Sequence, residues 1–292
     1  MSVRTYNPSV RVGNWSEDIC LEEDTLKDHL EKRERGELLI QKSSRLSETI
    51  LKPVELSVTS DGLLHFGDVV MVMNEAPRLQ VATSFGDMPQ TSSALSVNMA
   101  ESKIHEALNF EGNCSVSASK LLQPCARNAF VISQVKGANI PTGSPLVYNQ
   151  HFYLRTLPGV GGDLIMKSDI ATFQSSAKKS RKQLLEFSED DSSYIGEWRI
   201  LCFNPQLRME TEGLPVQANQ KIIFNHCKTN QDLCVISNKI VRTAFGVDYE
   251  AVAYTDLDSH KAEKPNNHWI MVTGSPSEPR TPAQILKVGE TQ

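Results

Sequence analysis

The chain has 292 residues and a mass of 32.5 kDa, 39% of it hydrophobic and 22% charged, the make-up of an ordinary globular protein with material for one large or two small domains. A formal net charge of −5 supplies no basic footprint for nucleic acid or anionic lipid. There is no apolar run of membrane length and no signal-peptide core near Met1, so a cytosolic protein is expected. Its six cysteines lack CxxC pairing and read as free, packed thiols.

Residues 1–17, with Asn7-Pro8 and then Val10-Arg11-Val12-Gly13-Asn14-Trp15, show no helical period and read as an extended arm. From about Asp18 the pattern changes. Leu26 and Leu30, four apart among alternating acids and bases, predict a charged helix that ends at Gly36, with Glu31 and Arg35 in the favourable acid-first order. Lys32-Arg33-Glu34-Arg35 is either a solvated face or a partner-binding patch. A second helix is expected over 37–51, with Leu39, Ser43, Leu46 and Ile50 on one stripe and Pro53 as its stop.

A threefold echo organises the rest. Phe66-Gly67-Asp68, Tyr148-Asn149-Gln150 and Ala218-Asn219-Gln220 each precede a strongly apolar run. Gly and Asn tolerate positive φ, and the neighbouring Asp or Gln can cap the turn, so each signature predicts a turn entering a strand. Each copy closes on an aromatic: Phe130, Trp198 and Trp269. The segments Leu56 to Gly62 and Leu207 to Gly213 match position for position and are expected to be opening strands, the first turning into a hairpin at Asp61-Gly62. Residues 90–123, rich in Ser and Ala with a helical hint at Ile104 to Leu108, read as a long loop with a short helix. Residues 175–189, carrying Lys178, Lys179, Arg181 and Lys182, are a solvated helix or a basic contact loop. The proline-containing end, 275–292, is expected to be an extended or disordered tail. Three copies of a multi-strand unit predict a closed pseudo-threefold structure: a mainly β, β-trefoil-like body over 53–274 (copies near 53–135, 136–204 and 205–274), preceded by an arm and helices over 1–52.

The search for chemistry is mostly negative. His226, His260 and His268 lie near Cys227 and Asp258 in the third copy, but without HExxH or paired CxxC spacing a zinc site is disfavoured. Gly159-Val160-Gly161-Gly162 lacks the GK[ST] of a phosphate loop and reads as a hairpin turn; no GxSxG elbow is present either. No catalytic, cofactor or metal-ligating set is expected, and the chain is read as a non-enzyme.

Several long segments carry a resemblance. Val10 to Trp15, Leu30 to Arg33, Gly36 to Lys42, His65 to Asp68, Asn225 to Asn230, Tyr254 to His260 and Lys264 to Trp269 resemble the cilia- and flagella-associated protein 161 family. Single copies, notably Phe66-Gly67-Asp68 and the stretch from Asn225 to Leu233, are also similar to MIR-type β-trefoil modules, although the later copies replace Gly-Asp by Asn-Gln. The family resemblance implies a structural microtubule inner protein. It would bind α- and β-tubulin and neighbouring inner proteins in the lumen of axonemal doublets, and would stabilise them for ciliary and flagellar motility. Arg11, Trp15, Lys32, Arg33 and Arg35 are the expected contacts. The alternative is a soluble β-trefoil ligand-binding or adaptor module that reads a sugar or a phosphorylated ligand.

Overall fold

The computed structural model describes residues 14–75, 92–100, 103, 109–189 and 194–274. Two helices, α1 (Asn14–Arg35) and α2 (Leu39–Ile50), precede twelve strands. These are β1 (Val69–Asn74), β2 (Ser93–Asn98), β3 (Cys114–Ser119), β4 (Ala129–Gln134), β5 (His151–Thr156) and β6 (Ile165–Ser168). They continue with β7 (Leu185–Ser188), β8 (Trp198–Cys202), β9 (Lys221–His226), β10 (Leu233–Thr243), β11 (Gly246–Ala253) and β12 (Trp269–Val272).

Six strands close on themselves. β1 pairs with β4, β4 with β5, β5 with β8, β8 with β9, β9 with β12 and β12 with β1, every pair antiparallel, so the ring has no free edge. Between each outgoing and returning barrel strand stands a hairpin: β2–β3, β6–β7 and β10–β11. The hairpins meet where β3 pairs with both β11 and β7 and where Gln183 bridges Ala253. Four strands repeated three times, six forming a barrel and six a cap, make a β-trefoil.

The threefold relation is written in the backbone. Leu64 N–H donates to the Val216 carbonyl (3.0 Å), Val216 N–H to Leu146 (2.8 Å) and Leu146 N–H to Leu64 (2.7 Å), a closed cycle linking equivalent positions of the three copies. A second cycle joins Phe66 to Ser144, Tyr148 to Leu214 and Ala218 to Gly62. The turn signatures behave as their chemistry requires. Gly67, Asn149 and Asn219 have φ of 98°, 67° and 60°, and their N–H groups donate to Ile132, Ile200 and Met271. Asp68 Oδ2 accepts from His65 N–H (2.8 Å), and Gln150 Oε1 accepts from Val147 N–H (3.0 Å), so the acid and the amide do the same capping work.

Phe130, Trp198 and Trp269 are fully buried in one core with Leu64, Leu146 and Val216. The two indole N–H groups are satisfied in register, Trp198 Nε1 on the Met166 carbonyl (3.0 Å) and Trp269 Nε1 on Leu233 (2.9 Å). Phe130, with no donor, stacks on Phe187 at 5.3 Å.

Three expectations need correction. The segment to residue 17 is not wholly an arm, because α1 begins at Asn14, with Glu17 in its first turn, where the dipole favours negative charge. Leu56 to Gly62 and Leu207 to Gly213 are not strands, and Asp61-Gly62 makes no hairpin. Asp61 Oδ1 accepts from Leu63 N–H, Val58 bridges Gly274 in parallel, and Pro205 to Thr211 coils into a 3-10 turn and the single-turn helix α3 (Arg208–Thr211). What the two segments share is the turn glycine, Gly62 at φ 74° and Gly213 at φ 77°. Residues 90–123 hold the β2–β3 hairpin, its small Ser and Ala side chains filling buried positions beside Arg127; Ile104 to Leu108 lie outside the described residues. Of the two readings of 175–189, helix or loop, the structure has the loop, which runs into β7. The Gly159 to Gly162 turn is the β5–β6 hairpin connection, closed by Gly162 N–H on Gly159. The C-terminal 275–292 lies outside the described residues.

Candidate partner-binding surface

Helix α1 ends in a Schellman cap. Gly36 at φ 71° lets its N–H reach Arg33 (3.2 Å) and lets Glu37 N–H reach Lys32 (2.8 Å). A side chain at this position would also collide with Arg45, whose Nη2 lies 2.1 Å from where a Cβ would stand. α2 follows at once, and its last residue, Ile50, is fully buried in the barrel core. The helical segment is thus tied to the trefoil through α2, while α1 leaves it.

No residue from Glu17 to Arg35 is buried or half-buried. At 100° per residue, Ile19, Leu26 and Leu30 fall within about 40° of one another on one face of α1. They are 44%, 61% and 49% exposed, and Leu39 and Ile40 at the next helix are exposed too. Of the residues proposed from sequence, Arg11 lies outside the described residues and Trp15 falls in the first turn of α1. Lys32, Arg33 and Arg35 occupy the last turn, where cations suit the dipole. Lys32 Nζ donates to Asp28 Oδ2 (2.7 Å) and Arg35 Nη2 to Glu31 Oε2 (3.3 Å), and the Asp28 carboxylate holds the Lys32 ammonium above its ordinary range. The three cations share one helix end, but two already have partners within the helix.

Two further exposed clusters were not singled out from sequence. Around α3, Phe203, Leu207, Met209 and Leu214 are exposed, Met209 at 91%. Beside them is a shallow cleft of about 150 Å³ walled by Tyr148, Ile200, Cys202, Met209, Arg199 and Glu212. That is small against the ~300–1,000 Å³ of typical small-molecule sites. The second cluster is the β6–β7 connection, with Ile170 and Phe173 exposed at its tip. For Phe173 and Met209 the sequence signal was an apolar residue standing alone among polar ones, whereas the cations that follow Phe173 were already legible as a basic contact loop or solvated helix.

The third-copy histidines do structural work. His226 Nε2 faces the Ile195 carbonyl (2.9 Å) and Nδ1 faces the Thr229 hydroxyl (2.8 Å), with the Trp198 ring 4.9 Å away; His268 Nε2 faces the Glu263 carbonyl (3.0 Å). Burial pushes both imidazoles below their ordinary pKa. Burial also raises the thiols, Cys114 to about 11 and Cys227 to about 12, so neither is a thiolate at neutral pH. Among the described residues no group of three His, Cys, Asp or Glu side chains could hold a metal ion, and no helix is long and apolar enough to cross a membrane.

Fold and surface together define a β-trefoil protein with an appended helical arm whose surface exposes several apolar and basic side chains. The solved SDF2-like protein from Arabidopsis thaliana has the same MIR-type fold, with a TM-score of 0.50 and 14% identity, covering 74% of this chain and 99% of that one. Residues 42–274 match the cilia- and flagella-associated protein 161-like domain, and the chain belongs to that family. Cilia- and flagella-associated protein 161 of Danio rerio is 44% identical over 281 residues (94% of this chain, 90% of the relative), and that of Bos taurus is 40% identical over 303 residues (100% and 92%). Membership places the chain among cilium- and flagellum-associated proteins.

Proposed function

We propose that this chain is a non-catalytic microtubule inner protein, held on α- and β-tubulin and on neighbouring inner proteins in the lumen of axonemal doublets, where it stabilises the wall. The observation that carries the reading is α1: a helix of 22 residues, about 33 Å long, whose apolar stripe is exposed rather than packed in the core of the described residues. Isolated helices are marginal in water, and most helical stability comes from tertiary packing of an apolar face. A stripe without an internal partner calls for an external one, and a ciliary family supplies the polymer setting. The arm, with Arg11, Trp15, Lys32, Arg33 and Arg35 as contacts, and the loops of the 53–274 body grip the lattice at several weak points, which add through effective concentration.

The test is reassembly on salt-washed axonemal doublets. A truncation lacking residues 1–37 spares Ile50 and hence the core. Full-length chain is expected in the doublet fraction and the truncation in the supernatant, with equal melting temperatures. Equal retention of both would remove α1 from the reading, and failure of the full chain to associate would end the reading itself.

A further inference from the structure

The β6–β7 connection, residues 169–184, combines a fixed row of cations with two apolar side chains held out in solvent. Ala177 is buried against Cys234 and Val252, and its N–H donates to the Lys182 carbonyl (2.9 Å) while its own carbonyl receives Arg181 N–H (3.0 Å). The half-turn this makes puts Arg181 at φ 59°. Underneath lies Glu250, 5% exposed, whose two oxygens accept the N–H groups of Lys179 and Ser180, each at 2.9 Å. Lys182 Nζ sits 3.7 Å over the Tyr254 ring, and Gln183 Nε2 donates to both Ser168 and Thr229 hydroxyls (2.8 Å each). The loop backbone is therefore clamped to the β10–β11 hairpin.

This clamp turns carboxylate toward backbone and leaves the cations outward. Lys178, Lys179 and Arg181 are exposed and have no ion pair among the described residues, and the loop's acid, Asp169, is taken by Lys228 (2.9 Å). At the tip Ile170 is 65% and Phe173 98% exposed. On a chain with net charge −5, such a patch is of the opposite sign to the whole.

We propose that this loop is a second docking site, receiving an acidic polypeptide surface with Phe173 seated in an apolar hollow and Lys178, Lys179 and Arg181 facing carboxylates. Charge complementarity selects the sign of the partner, and the clamped backbone selects a shaped protein surface over a fluid one. An anionic bilayer is the poorer occupant, because two apolar side chains give little insertion and the acidic body is repelled from it. The inference rests on the proposed lattice-binding role, with the loop adding a contact remote in sequence from α1.

The experiment uses the full chain with Lys178→Gln/Lys179→Gln/Arg181→Gln, and separately Phe173→Ala. The neutral replacements avoid setting new carboxylates above Glu250, and every altered side chain is exposed, so melting temperatures should match the parent. Binding is measured to salt-washed doublets, to poly-L-glutamate and to vesicles of phosphatidylcholine with phosphatidylserine. Expected is about tenfold weaker binding of the triple variant to doublets and to poly-L-glutamate, with a shallower salt dependence, and a loss for Phe173→Ala on doublets alone. Parent-like binding of the triple variant to doublets overturns the loop and leaves the lattice role standing. If the parent fails on doublets, the lattice role fails and the poly-L-glutamate arm decides the loop: a triple variant equal to the parent overturns it, a tenfold loss supports it. Vesicle binding stronger than doublet binding overturns it in favour of lipid.

Discussion

In the barrel, Trp198, Trp269, Ile200 and Ile223 have no exposed surface, whereas in α1 Ile19, Leu26 and Leu30 are close to half exposed or more. Side chains of one chemical type thus have opposite fates within one chain, and the difference lies in what surrounds them. The barrel strands close a ring whose inward residues from all three copies share one core, whereas every residue of α1 from Glu17 to Arg35 is exposed. The lesson is that the trefoil buries its own apolar side chains while α1 leaves its stripe exposed, which is what the proposed external partner would cover. Removing apolar groups from the two regions should therefore give effects of very different size and kind.

The largest effect is expected in the ring. Trp269→Ala removes a side chain with no exposure and leaves the Leu233 carbonyl without its indole donor, so a loss of about 3–5 kcal/mol is expected in urea unfolding. Trp198→Ala should match it, since its indole is held by Met166 in the equivalent place. A loss under about 1 kcal/mol at either site, the range of a surface change, would mean that the aromatic positions do not share the core.

Comparable in size is a buried charge pair that joins the β10–β11 hairpin to the turn before β4. Arg127, 1% exposed, donates from Nη2 to Asp248 and Asn98 and from Nε to the Val97 carbonyl (3.0 Å), with the Phe245 ring 4.7 Å away. Asp248→Ala leaves this guanidinium buried and unpaired, which is expected to cost about 3–5 kcal/mol. Arg127→Met/Asp248→Leu together should recover most of that loss in the same unfolding assay, because the apolar pair has no charge to desolvate.

Smaller effects test the turns. Asn149 and Asn219 sit at φ 67° and 60° where Gly67 stands in the first copy. Asn219→Ala should cost about 2–3 kcal/mol and Asn219→Gly about 1 kcal/mol less, because both lose the amide that accepts from Thr273 N–H (3.1 Å) and donates to its hydroxyl (3.2 Å), while only Ala is strained in the left-handed backbone. These positions also show how much of the fold could be read beforehand. A positive-φ residue with a capping neighbour is a local signal, so Gly67, Asn149, Asn219 and the aromatics closing each copy were legible. The β2–β3 hairpin was not, since its Ser and Ala residues show no apolar alternation and are buried through the Asn98, Ser117, Asp248 and Arg127 network, joined across more than a hundred residues. Leu207 to Gly213 copied the opening segment in sequence, but Pro205 and the Asn204 side chain, which accepts from Gln206 N–H (3.1 Å), start a helical turn. Of the surface, the basic end of α1 was legible as charge on a helix; Phe173 and Met209 were not, because exposure is a property of the packed body.

Acid should weaken the ring by less than these. His226 and His268 are held neutral below their ordinary value of 6.5 by burial, so the unfolded chain takes up protons first as pH falls. Their contribution is complete above 6.5 and is lost as pH drops below it toward the depressed folded values. Melting temperature is expected to fall between pH 7 and pH 5.5, and less steeply in His226→Gln, whose amide keeps a donor toward Ile195. An unchanged slope in that variant would assign the acid sensitivity to other groups.

The smallest effect on stability should come with the largest effect on association. Leu26→Asp/Leu30→Asp alters side chains that are 61% and 49% exposed and touch no core residue, so urea unfolding should move by no more than about 0.5 kcal/mol per site. Amide exchange should likewise find α1 open on a timescale where the barrel strands are fully protected, since little but its own backbone holds it. Recovery on doublets, however, should fall as far as it does when residues 1–37 are deleted. The inward-facing equivalents, Ile200→Asp or Phe224→Asp, should instead leave no folded chain to recover. If the α1 pair unfolded the trefoil, or left recovery untouched, the stripe would belong to the body after all, and the contrast between a self-sufficient ring and a helix that needs a partner would dissolve.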